Sequence, residues 1–214
     1  MVKTILLAVA LFVLGGIFLF FWQWRSGSIV PRPANEIQNT ANEPQGPATS
    51  LSLPLNNTLS RLTKKLFGIY ITPKNSPVSP EKFTGWHTGA DFEIFSGEEN
   101  ENIQVLAICS GKLLVKEFGR GYGGMAVQSC NINNQSVTIV YGHLKLESIG
   151  PKIGNELLVG SVIGILGQGY TSETDYERKH LHLGIHKGTK VDTLGYVATE
   201  AELKNWMDPF LILK

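Results

Sequence analysis

The chain has 214 residues, 43% hydrophobic and 17% charged. That is enough apolar surface for one packed domain with appendages, and it excludes a disordered tail or a solvated coiled coil. The 19 Lys and Arg nearly cancel the 18 Asp and Glu, so no bulk field draws the chain to nucleic acid. The two cysteines are too few for a disulfide-rich scaffold and enough for one bridge.

Residues 4–24, TILLAVALFVLGGIFLFFWQW, carry no charge and would span about 30 Å as a helix. This predicts a single N-terminal membrane anchor over residues 1–25, with Trp22 and Trp24 in an interfacial belt and Arg25 beyond. A cleaved signal peptide is the competing reading. Its apolar core is usually about 7–15 residues, followed by a small-residue cleavage site, whereas this run is longer and ends in aromatics. The segment has no cysteine for a lipoprotein anchor and no GxxxG for helix pairing, so a monomer is the default.

Residues 26–60 hold Pro31, Pro33, Pro44, Pro47 and Pro54 among Asn, Gln, Ser and Thr, with no sustained apolar period. They read as a tether, which leaves 61–214 as the folded domain. There the texture changes to short apolar runs bounded by Gly and Asn: FEIF, VLAICS, KLLVKEF, MAVQSC, SVTIVYGHL, SVIGILG and HLHLGIH. Such runs predict a mainly β fold, with room for one short helix near Thr199–Trp206.

FGRGYGG at 118–124 lies between two of these runs and predicts a hairpin loop, since no GK[ST] follows to make it a phosphate loop. Folding the hairpin near residue 120 brings Cys109 and Cys130 roughly opposite each other. A disulfide is then geometrically possible, the alternative being two small buried side chains.

KHLHLGIHK, residues 179–187, alternates strictly. As a strand it places His180 and His182 about 7 Å apart on one face, with His186 about 13 Å beyond His182 and out of reach of a shared centre. Upstream, GWHTGADFE holds His87 and Asp91 at i and i+4, which a helical turn or a tight loop containing Gly89 could converge on one ion. YGHL places His143 at the end of an apolar run. Singly, each histidine reads as a core or surface residue. Together, four histidines and Asp91 supply three metal ligands plus a base and a donor, as a catalytic zinc site needs. HExxH is absent, which excludes the helical zincin arrangement.

These motifs, HxxxD at His87 and Asp91, YGHL around His143, and HxH at His180 and His182 in this order, resemble the lysostaphin-type zinc endopeptidases, which cut peptide bonds in bacterial peptidoglycan. The resemblance runs from Phe67 to Pro209. It includes GYGG at 121–124, the glycine-spaced IGNELLVGSVIGILGQG at 153–169 and WMDP at 206–209. It implies a twisted antiparallel sheet with a zinc groove walled by loops. His87, Asp91 and His182 would hold one Zn²⁺ per chain, and His143 and His180 would form the catalytic pair. FGIY at 67–70 is similar to the segment whose tyrosine steadies the oxyanion, which would make Tyr70 that donor.

The implied activity is metal-assisted hydrolysis of a peptidoglycan peptide by a single-pass membrane protein whose C-terminal domain is extracytoplasmic. The alternative is a non-catalytic module of the same fold that binds cell wall or regulates a separate hydrolase. Such modules usually lack one or more metal residues, and none is missing here. A carrier domain would have no use for the histidines. The loops Gly97–Asn102 and Thr171–Lys179 are candidate groove walls.

Overall fold

The computed structural model describes residues 50–214. The anchor expected over 1–25 and most of the tether expected over 26–60 lie outside the described residues. Among the described residues no helix is long and apolar enough to cross a membrane.

In chain order the elements are α1 (Thr58–Arg61), β1 (Tyr70–Ile71), β2 (Gly85–His87), β3 (Gly89–Glu93), β4 (Gln104–Leu106), β5 (Gly111–Gly119), β6 (Gly123–Ile132), β7 (Gln135–Leu144), β8 (Glu156–Leu157), β9 (Val162–Ile165), β10 (His180–Lys187), β11 (Tyr196–Val197), α2 (Glu200–Leu203), β12 (Trp206–Met207) and α3 (Pro209–Leu213). The architecture is a mainly β, antiparallel one. A seven-stranded sheet runs β12-β10-β7-β6-β5-β8, with β3 also paired to β10. A three-stranded sheet, β1-β2-β11, and a β4-β9 pair accompany it.

Two hairpins make the centre of the large sheet. Gly121 and Gly123, both at positive φ, turn β5 into β6, and Asn133 and Asn134 at φ 51° and 63° turn β6 into β7, the left-handed pair that a tight hairpin demands. Alternation then sorts the side chains. Ala90 and Phe92 of β3 and Leu181, Leu183 and Ile185 of β10 are fully buried in one core cluster, so the intervening Asp91, His180 and His182 face the other way. Cys109 and Cys130 are joined by a disulfide.

Part of the expected tether belongs to the domain. Leu55 is 2% exposed within the main core, with Leu51 packed against it, and Ser52 N donates to Ile108 O at 2.9 Å. Two leucines among polar residues make no periodic signal, so the boundary drawn at residue 61 falls too late. The helix expected over Thr199–Trp206 is shorter: Thr199 caps α2 in a capping box with Glu202, and Trp206 already pairs with β10.

Candidate metal centre and active site

Strand register assembles the site. On β10, His182 pairs with Asp91 of β3 on one side and Gly142 of β7 on the other. His87 and Asp91 occupy two successive strands broken at Thr88, rather than the helical turn or tight loop that their spacing allowed. Thr88 N donates to Gly195 O at 3.1 Å and its hydroxyl to Leu194 O at 2.5 Å, which turns the chain so that His87 faces Asp91.

The three atoms that meet are His87 Nε2, Asp91 Oδ1 and His182 Nδ1. Their separations are 3.2 Å (His87–His182), 3.3 Å (His87–Asp91) and 3.0 Å (His182–Asp91). Tetrahedral bonds of about 2.0–2.1 Å place ligand atoms roughly 3.3 Å apart, so this buried cluster fits a zinc ion in both donor type and spacing. Burial opposes charge on Asp91, but His180 and His87 beside it hold its carboxyl well below the usual range. Burial also pushes the imidazole of His182 down to about 4, against the pull of Asp91, so it is neutral and able to ligate.

Each candidate ligand is gripped from behind. His87 Nδ1 donates to Leu66 O at 3.0 Å, His182 Nε2 lies 3.3 Å from the Tyr122 hydroxyl, and Asp91 Oδ2 accepts from Arg178 Nη2 at 2.8 Å. Such outer contacts set the tautomer and orientation of ligands. Space is tight: a Cβ on Gly89 would come within 2.6 Å of His182 Nε2, and one on Gly142 within 2.3 Å of the Tyr122 ring.

His143 and His180 stand beside this cluster, ring centroids 4.1 Å apart. Their Nδ1 atoms face the carbonyls of Thr174 (3.3 Å) and Arg178 (2.8 Å). A carbonyl only accepts, so each Nδ1 carries a proton; His143 Nε2 keeps a lone pair, and His180 Nε2 lies 3.2 Å from Asp91 Oδ2. Strict alternation along β7 would send His143 into the core. Instead Gly124 pairs with Leu144 and Met125 with Gly142, which leaves His143 as the extra residue of a bulge, at φ 63°. Bulges and left-handed residues of this kind re-aim side chains at functional sites. Burial, reinforced by neighbouring His180, lowers the pKa of His143 well below the ordinary histidine value.

A groove of about 290 Å³ contains His87, Asp91, His143, His180 and His182. Tyr70 is not among its lining residues. It is 44% exposed, with its ring edge against Trp86, because β1 turns it outward. Two other tyrosines do line the groove. Tyr122 touches His182, and Tyr196 lies 5.2 Å from the His87 ring with its hydroxyl accepting from Lys65 Nζ at 2.9 Å. Burial keeps both phenols protonated. GYGG and the polar tail of the domain offered no separate signal for these roles. Thr193–Tyr196 and Arg120–Tyr122 form groove walls together with Glu177 and Arg178, and the Gly97–Asn102 loop takes no part. His186 packs on Trp206 at 4.9 Å, outside the cluster.

The model of peptidase family M23 matches residues 85–193, the stretch from β2 through β10 into the groove wall. No protein of curated function matches the sequence. Among solved structures, the catalytic domain of the antimicrobial peptidase lysostaphin from Staphylococcus simulans superposes with a TM-score of 0.51 at 22% identity, over 76% of this chain and 98% of that one. The solution structure of lysostaphin gives a TM-score of 0.50 at 21% identity, over 78% of this chain and 54% of that one. These likenesses establish the fold.

Proposed function

The chain belongs to peptidase family M23, and from that premise we propose that it is a membrane-anchored zinc endopeptidase that hydrolyses peptide bonds in the stem peptides or cross-bridges of bacterial peptidoglycan. The observation that carries the reading is the ligand triangle of 3.0, 3.2 and 3.3 Å with His143 and His180 beside it in one groove.

His87, Asp91 and His182 would hold the metal, which when bound supplies a Lewis acid that polarises a carbonyl and brings the pKa of a water towards neutrality. His143, kept unprotonated by burial, takes a proton at Nε2 and, with His180, returns one to the leaving amine nitrogen. Tyr196 takes the donor role expected of Tyr70. Its hydroxyl accepts from Lys65 Nζ, so its own hydrogen is free for a developing oxyanion. The Cys109–Cys130 bridge supports an oxidising compartment, in keeping with an anchor at residues 4–24 and a domain on the outer side of the cytoplasmic membrane.

Digestion of purified peptidoglycan of several cross-link types, followed by mass spectrometry of the fragments, tests the proposal. New amino termini at one bond type support it and identify the bond. Intact cross-links in every wall type, with zinc bound to the protein, would overturn it.

A further inference from the structure

Arg178 precedes β10 and is 8% exposed. Its guanidinium serves two carboxylates at once: Nη2 lies 2.8 Å from Asp91 Oδ2 and 2.6 Å from Glu93 Oε1, and Nε lies 2.9 Å from both oxygens of Glu93. Asp91 and Glu93 are two apart on β3 and so share a face. The rigid fork of an arginine suits such paired recognition, which a lysine cannot reproduce.

Asp91 has two oxygens, and the three-atom cluster uses only Oδ1. The other accepts from Arg178 at 2.8 Å and lies 3.2 Å from His180 Nε2. A guanidinium this close would repel a dication, but Glu93, buried at 6% exposure, lies against it with three contacts. Stability alone is a poor reason for the arrangement, because removing three charges from water often costs more than their attraction returns. Glu93 also has a half-exposed partner of its own, Lys64 Nζ at 3.5 Å.

We propose that Arg178 and Glu93 are positioning residues for the metal: Arg178 occupies Asp91 Oδ2 and restricts Asp91 to one-oxygen ligation, and Glu93 neutralises Arg178 so that the charge of Asp91 remains for the cation. This rests on the metal-binding reading above. Two variants separate its halves. Arg178→Gln removes the charged partner of Oδ2 and leaves only the weaker His180 contact, so that Oδ2 can join the metal and raise its coordination number. Glu93→Gln keeps the fork on Asp91 but leaves the guanidinium charge uncompensated, weakening the metal without changing how Asp91 holds it.

The test uses the full chain, stripped of metal by chelation and titrated with Co²⁺, whose visible d–d band is intense in four-coordinate sites and weakens as the coordination number rises. Zinc affinity is measured in parallel by competition. Arg178→Gln should give a clearly weaker band than the parent. Glu93→Gln should keep the parental band and bind zinc about 10-fold more weakly. A parental band in Arg178→Gln overturns the ligation claim, and parental zinc affinity in Glu93→Gln overturns the charge claim. If Arg178→Gln does not fold, Arg178→Lys, which keeps the charge and loses the fork, tests the ligation claim by the same band. A parent chain that binds neither metal would instead sink the underlying metal-site reading.

Discussion

The hydroxyl of Tyr122 lies 3.3 Å from Nε2 of His182, on the side of the ring opposite the Nδ1 that meets Asp91 and His87. With Nε2 engaged, Nδ1 is the atom left for a metal. Removing that hydroxyl in Tyr122→Phe should therefore weaken zinc binding by about 10-fold while the metal-free fold is kept. A competition titration with a chromogenic chelator measures this. Parental affinity would show that Tyr122 only fills space.

His182 and His143 are both buried in one groove but are assigned different work, and alanine separates them. His182→Ala should lose zinc. His143→Ala should retain it at parental stoichiometry and lose hydrolysis by about 10²–10⁴-fold. Metal analysis of both variants after dialysis checks the division, and zinc loss in His143→Ala would contradict it.

Two tyrosines divide in the same way. Tyr196 lines the groove and Tyr70 lies on the surface. Tyr196→Phe should lower kcat by about 10²-fold, the scale for removing one oxyanion donor, and Tyr70→Phe should leave it within about twofold of the parent. Steady-state kinetics on a soluble cross-bridge peptide distinguishes them, and the reverse order would return the role to Tyr70.

The site also predicts an acid limit. The pKa of His182 is about 6.5 when unfolded and is pushed to about 4 in the fold by burial, so between these values the unfolded chain binds more protons. Its contribution to stability is fully present above about pH 6.5 and is lost as the pH falls towards 4, about 3 kcal/mol in all. His143 shifts in the same direction and adds to the loss. Urea unfolding of the metal-free protein at a series of pH values measures it. Zinc should oppose the loss at first and then dissociate, because its ligands must be unprotonated.

How much of this was legible beforehand differs from residue to residue. HLHLGIH announces β10 and the shared face of His180 and His182, since a period of two needs no partner to be read. YGHL shows that a histidine ends β7 but not where it points. The bulge at His143 exists only in the mismatch between Gly124–Leu144 and Met125–Gly142, a property of two strands. HxxxD is equally silent on its strand–break–strand geometry, which Thr88 fixes through carbonyls more than a hundred residues away. Glu93 and Arg178 sit 85 residues apart, in segments whose charges read as solvated surface. FGIY looked like an active-site segment, but β1 turns Tyr70 onto Trp86. The leucines at 51 and 55 were too sparse to mark the start of the domain.

The central claim is that one zinc ion held by His87, Asp91 and His182 enables hydrolysis of peptidoglycan peptides. The most direct measurement is amine release from purified peptidoglycan as zinc is titrated back into chelator-stripped protein. The account predicts no release without metal, recovery that saturates at one equivalent, and no recovery in His182→Ala. Release that persists in the chelator, or no release with one zinc bound, would contradict it.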